Sequence, residues 1–135
     1  MTTTGRQSLC RGSDAVTHGV RVRVEPSFMP DESSPDEGKW LFGYHIVMTN
    51  ESPRPIRLLT RHWQIVDGDG DAHDVDGEGV VGHQPHLAPG ESFEYSSFCP
   101  LHTHWGTMEG WYEFVRDDGE VIRVRVARFI LVASA

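Results

Sequence analysis

Polar and apolar residues alternate along much of this chain with a period of two. Val20-Arg21-Val22-Arg23-Val24-Glu25 is the plainest run. Successive side chains of a strand point to opposite faces, so the valines are expected inside and the charges outside. Lys39–Thr49 (KWLFGYHIVMT) and Ile56–Val66 (IRLLTRHWQIV) are rich in aromatic and β-branched residues. They end in Asn50-Glu51-Ser52-Pro53 and Asp67-Gly68-Asp69-Gly70, which is turn chemistry, so both read as strands. Ala72–Val75 is expected to fold back across the Asp/Gly turn as a hairpin. Strands are expected again at Ser92–Phe98, Thr107–Arg116 and Glu120–Val126, the last two joined by Asp117-Asp118-Gly119. Pro30–Gly38 reads as a polar loop, and Gly77–Gly90, with Pro85 and Pro89, as a long irregular connection. No stretch offers a capped amphipathic helix.

About seven short strands with turns at this spacing predict an all-β, immunoglobulin- or fibronectin-III-like antiparallel β-sandwich. The Cys…Trp…Cys spacing of antibody domains is missing, so only the architecture is expected. Residues 1–18 read as a flexible polar tail, and 19–135 as a single domain.

Charge and composition narrow the function classes. Twelve Lys+Arg against 20 Asp+Glu give a formal charge of −8, which argues against a nucleic-acid binder. No apolar run approaches the ~20 residues that span a bilayer, and the polar start MTTTGRQSLCRGSD lacks a signal-peptide core. A cytoplasmic protein with no membrane partner is expected. Cys10 and Cys99 are then two free thiols in a reducing compartment.

Gly77-Glu78-Gly79-Val80-Val81-Gly82 has the G-x-G-x-x-G spacing of a dinucleotide loop. That chemistry needs a helix opening from the loop to aim backbone N–H groups at phosphate. Here His83-Gln84-Pro85-His86-Leu87-Ala88-Pro89-Gly90 follows, and its prolines forbid the helix. The glycines read instead as shaping a crossover between sheets, where left-handed backbone or close strand approach excludes a Cβ. A second reading is an anion nest of backbone N–H groups formed by Gly77, Glu78, Gly79, Val80, Val81, Gly82 and Gln84.

The run GEGVVGHQPHLAPGESFEYSSFCPL, followed by GTMEGWYEF, closely resembles the ApaG family, a domain also found in some F-box proteins. RVRVEPSF, YHIVMTNES and RHWQIVDGDG extend the likeness over about residues 19 to 132. The family-type positions are Gly77, Glu78, Gly79, Val80, Gly82, Gln84, Pro85, Pro89, Gly90, Phe93, Tyr95, Gly106, Met108 and Gly110. The resemblance implies a fibronectin-III-like sandwich, agreeing with the strand count. It also implies a bacterial link to cobalt resistance and magnesium efflux, no accepted catalysis, and, from the eukaryotic members, a role in protein interaction.

Other constellations are weaker. Asp67, Asp69, Asp71 and Glu78 fall at positions 1, 3, 5 and 12 of an EF-hand register. Ala72 stands where that turn needs glycine, so a solvated acidic turn is the expectation. His83, His86, His102 and His104 flank the strand at Ser92–Phe98 and are weak metal candidates, with Cys99 nearby; imidazole suits Co²⁺. No dedicated cofactor is expected, only weak association with Mg²⁺ or Co²⁺. Cys99 precedes Pro100 without a helix N-terminus to activate it, and His102 is its nearest base candidate. No catalytic residue is assigned, and a buried thiol is the plainer reading.

Val20–Val24 and Ile122–Val126 are near copies, so Arg21, Arg23, Arg123 and Arg125 all face outward. If the first and last strands lie side by side, they form a basic patch; cross-strand pairing with Glu109 and Glu113 is the alternative. The functional expectation is a non-catalytic interaction domain with an unidentified protein partner, as monomer or edge-strand homodimer. Its surface is expected at residues 77–90 and Phe98–Gly106, with Phe98, Trp105 and Trp111 as candidate anchors. The alternative is a small-ligand binder for phosphate- or pyrophosphate-bearing molecules with Mg²⁺ at the glycine-rich loop.

Overall fold

Two antiparallel sheets pack face to face in the computed structural model, which describes residues 11–133. The strands are β1 (Ser13–Thr17), β2 (Val20–Phe28), β3 (Trp40–Asn50), β4 (Ile56–Asp67), β5 (Ala72–Glu78), β6 (His86–Leu87), β7 (Ser92–Leu101), β8 (Trp105–Arg116) and β9 (Val121–Val132). One sheet has the order β1-β2-β3-β7, the other β5-β4-β8-β9, with β6 attached to β4. The all-β sandwich read from the sequence is therefore what the chain forms. Among the described residues no helix is long and apolar enough to cross a membrane.

Alternation builds the core directly. Val20, Val22 and Val24 meet Ile122, Val124 and Val126 from the opposite sheet, and Phe42, Tyr112, Phe114 and Phe129 fill the space between them. Asn50 is fully buried yet satisfied: its Nδ2 donates to the carbonyls of Arg54 and Leu87, and its Oδ1 accepts from the N–H and hydroxyl of Ser52. It thereby fastens the end of β3 to the following turn and to β6.

Three expectations are corrected here. The polar tail was expected to run through residue 18, yet Ser13–Thr17 pair with β2 as an edge strand. Its hairpin turns on His18 and Gly19, both at positive φ, and Asp14 takes two hydrogen bonds from Arg21 at 2.9 and 2.8 Å. Residues 1–10, including Cys10, lie outside the described residues. Second, the irregular connection at 77–90 is shorter than expected, because Gly77 and Glu78 still belong to β5 and His86–Leu87 form β6. Third, β2 and β9 lie in different sheets, and β1 is the strand that adjoins β9, with Thr17 Oγ1 accepting from the N–H of Arg125. Arg21 and Arg23 thus leave one outer face of the sandwich and Arg123 and Arg125 the other, so the four-arginine patch does not form. Period-two patterning says which side of a sheet a residue takes, not which sheet it joins.

Strand ends also move outward. β7 continues through Pro100 to Leu101, which an edge strand tolerates. β9 continues past Val126 to Val132, with a register shift opposite Glu109.

Candidate functional site

The glycine loop is built around Arg61. β4 breaks register with β8 between Leu58 and Thr60, which frees the Leu59 carbonyl. The N–H of Gly79 and the side-chain amide of Gln84 both donate to that oxygen. Two residues on, Arg61 faces inward, in step with Trp63 and Ile65, and its guanidinium donates to the carbonyls of Glu78 and Gly79. Gly77 lies opposite Arg61 and leaves room for that guanidinium. Val80 and His83 exchange backbone hydrogen bonds at 2.8 Å around Val81 and Gly82, both at positive φ, as in a type I′ turn.

Several of the amides of the expected anion nest are already engaged. The N–H groups of Gly79, Val80 and His83 are engaged by protein carbonyls, and Gly77 and Glu78 pair with Arg61 and Thr60 of β4. The loop's glycines serve close approach and left-handed backbone.

The metal candidates separate. Among the described residues, Asp67, Asp69 and Asp71 are the one trio of ligand-type side chains whose atoms lie within 4.8 Å of one another. Asp67 Oδ1 accepts from the N–H groups of Asp69 and Asp71, as in an ordinary capped turn. Glu78 sits at the far end of β5, so the EF-hand register is not assembled. His83 lies 5.9 Å from the Phe93 ring, His86 is exposed on β6, and His102 and His104 are exposed at the β7–β8 turn; they do not join in a metal-binding trio. Cys99 is buried and free, and burial pushes its thiol up to about 11, the opposite of an activated nucleophile. Elsewhere in the core, Tyr95 and Tyr112 share a 2.7 Å hydroxyl hydrogen bond, and burial raises both phenols above the usual tyrosine range.

Two outer faces carry the accessible features. On the β5-β4-β8-β9 sheet, His62 stacks on Trp111 with ring centroids 4.1 Å apart, and the Arg123 guanidinium lies 4.2 Å from the same ring. Asp76 hydrogen-bonds His62 Nδ1, and Glu113 lies 3.4 Å from Arg123. The result is a transverse array, Asp76–His62–Trp111–Arg123–Glu113, drawn from all four strands β5, β4, β8 and β9. Grooves of about 440 and 490 Å³ adjoin it. Outward alternation was legible in each strand; the register that lines these residues up was not.

On the β1-β2-β3-β7 sheet, Phe98 is 59% exposed. It stands opposite Gly43 and lines a groove of about 460 Å³ with Glu25, Pro26, Ser27 and Met29. Beyond it, among the described residues, β7 is the last strand of its sheet. Of the other expected anchors, Trp105 packs over Gly68 and Trp111 is held in the stack.

The sequence matches the ApaG domain family over residues 30–116. The chain belongs to the ApaG family. It is 49% identical over 120 residues to Protein ApaG of Anaeromyxobacter dehalogenans, covering 89% of this chain and 94% of that one. Protein ApaG of Xanthomonas oryzae pv. oryzae is 48% identical over 118 residues, covering 87% and 93%. The crystal structure of the ApaA protein from Bordetella pertussis superposes with a TM-score of 0.81 at 42% identity, covering 88% of this chain and 94% of that one. The segment GEGVVGHQP thus coincides with the Arg61 clamp and the type I′ turn: Gly77 makes room for the guanidinium, and Gly79 and Gly82 take positive φ.

Proposed function

We propose that this ApaG-family chain is a non-catalytic binding module that docks a protein partner along the groove beside Phe98. The observation that carries this reading is Phe98 itself: a large aromatic, more than half exposed, held on a rigid strand over a glycine. Aromatic anchors with an adjoining cavity are the usual centres of protein interfaces. The adjacent free edge of β7 adds unpaired backbone N–H and C=O groups, to which an extended partner segment can add as a strand. The link to cobalt resistance and magnesium efflux that the family resemblance implies supports a partner in divalent-cation homeostasis.

The test is capture of partners by the tagged full chain compared with Phe98→Asp and Gly43→Val, the first removing the anchor and the second filling the groove. A partner lost from both variants supports the reading; one retained by both contradicts it. A thermal-shift series with Mg²⁺, Co²⁺, pyrophosphate and nucleotides runs alongside. Saturable stabilisation by pyrophosphate that is lost in Gly79→Val would instead favour a small-ligand binder.

A further inference from the structure

The outer face of the β5-β4-β8-β9 sheet is charged by column. The outward positions of β5 include Asp74, Asp76 and Glu78, and at the opposite edge β9 turns out Arg123, Arg125 and Arg128, flanked by the exposed Val121 and Ile130. Between them β4 presents Thr60, His62 and Gln64, and β8 presents Glu109, Trp111 and Glu113. Three strand spacings, about 14 Å, separate a column whose charges are all acidic from one whose charges are all basic. Neighbouring strands neutralise this only in part. Arg123 and Arg128 pair with Glu113 and Glu109, but among the described residues Arg125 has no carboxylate within 4.0 Å, and Glu78 makes no ion pair.

A face graded from acid to base calls for an occupant graded the opposite way, and this same face turned over is one. We propose that a second copy of the chain docks here, in a two-fold dimer whose axis lies in the contact plane parallel to the strands. Rotation about that axis exchanges left for right and leaves height along the strand unchanged. The β5 carboxylates of each copy then face the β9 arginines of the other: Asp76 meets Arg125 of the second copy, and Glu78 meets its Arg123. In the centre, His62 meets Trp111 of the second copy. An axis across the strands would instead stack β5 on β5, carboxylate against carboxylate, so charge selects one arrangement. The Phe98 groove lies on the opposite sheet and stays open, so this dimer and the partner site stand or fall separately.

Sedimentation velocity of the full chain at about 100 µM in about 20 mM and about 0.5 M NaCl reads the first consequence. Exposed charge pairs are screened by salt, so a dimer at low salt should weaken at least ~10-fold at high salt. The second is a charge swap. Arg125→Glu and Asp76→Arg each set like charges face to face in both halves of the interface and should sediment as monomers. Their equimolar mixture restores opposite charges in both halves and should give the heterodimer. Thermal unfolding confirms that each variant is folded. If Asp76→Arg is not, Arg123→Glu with Glu78→Arg makes the same swap one row away. A wild-type chain that stays monomeric at low salt would overturn the proposal, as would a dimer indifferent to salt and to these variants, the behaviour of pairing through the β7 edge. So would failure of the mixture to associate.

Discussion

Gly77 faces Arg61 across the β4–β5 pair so closely that a Cβ at position 77 would lie 2.6 Å from the guanidinium carbon. Gly77→Ala must push Arg61 off the carbonyls of Glu78 and Gly79. Two hydrogen bonds from a charged group are at stake, but the arginine is long and only half buried, so the expected loss is about 1–2 kcal/mol. Arg61→Met should cost a similar amount, and the double variant little more than either alone, because both remove one interaction. Urea unfolding measures all three; additive losses would mean that Gly77 and Arg61 act independently.

Gly79 is held more tightly than Gly77. Its φ is +64°, and the atom its Cβ would strike is the backbone carbonyl oxygen of His83, which closes the Val80–His83 turn. A backbone atom cannot swing aside as a guanidinium can. Gly79→Ala is therefore expected to cost at least ~2 kcal/mol, more than Gly77→Ala. The reverse order in urea midpoints would show that the loop gives way more readily than the arginine.

Asn50 offers a test of the buried polar core. Asn50→Ala leaves the carbonyls of Arg54 and Leu87 and the Ser52 hydroxyl without their buried partner. The expected destabilisation is about 2–4 kcal/mol. Faster amide exchange at Leu87 and Ser52 should accompany it, since β6 and the turn after β3 lose their tether. Protection unchanged at both positions would contradict that role.

Alkaline stability follows from the buried thiol. Burial raises Cys99 from its ordinary value of 9.0 to about 11, so between those values the unfolded chain releases a proton that the folded chain keeps. The stabilising difference is intact below pH 9 and is lost as pH rises towards 11, on the order of 3 kcal/mol in total. Tyr95 and Tyr112, also raised by burial, add a loss of the same sign above about pH 10. Urea midpoints at pH 8 and pH 10.5, on Cys99→Ala beside the wild type, separate the two: the variant should lose less. Equal losses would assign the alkaline instability to the tyrosines alone.

How far the fold could be read from sequence depended on the kind of information each feature needs. VRVRV and IRVRV placed Val22 and Val124 inside because alternation is a local property. Ser13–Thr17 stayed hidden because SDAVT offers only two apolar residues, and its turn is His-Gly, not Asn-Gly. The arginine patch failed at the next level, since nothing local assigns β2 and β9 to different sheets. The His62–Trp111 stack needed register as well, and register is set by a bulge at Leu59 that no periodicity announces. The glycine loop was legible as shaping backbone, because two prolines ruled out a helix, but its partner Arg61 was not.

Binding at the Phe98 groove is tested most directly by a photo-crosslinking amino acid placed at Ser96, which lines that groove, and, as control, at the exposed Asp69 turn. Irradiation in the source cells should yield a discrete protein adduct from position 96, absent from position 69 and abolished when Phe98→Asp is added. Identical adducts from the two positions, or an adduct at 96 that survives Phe98→Asp, would contradict docking of a partner on that face.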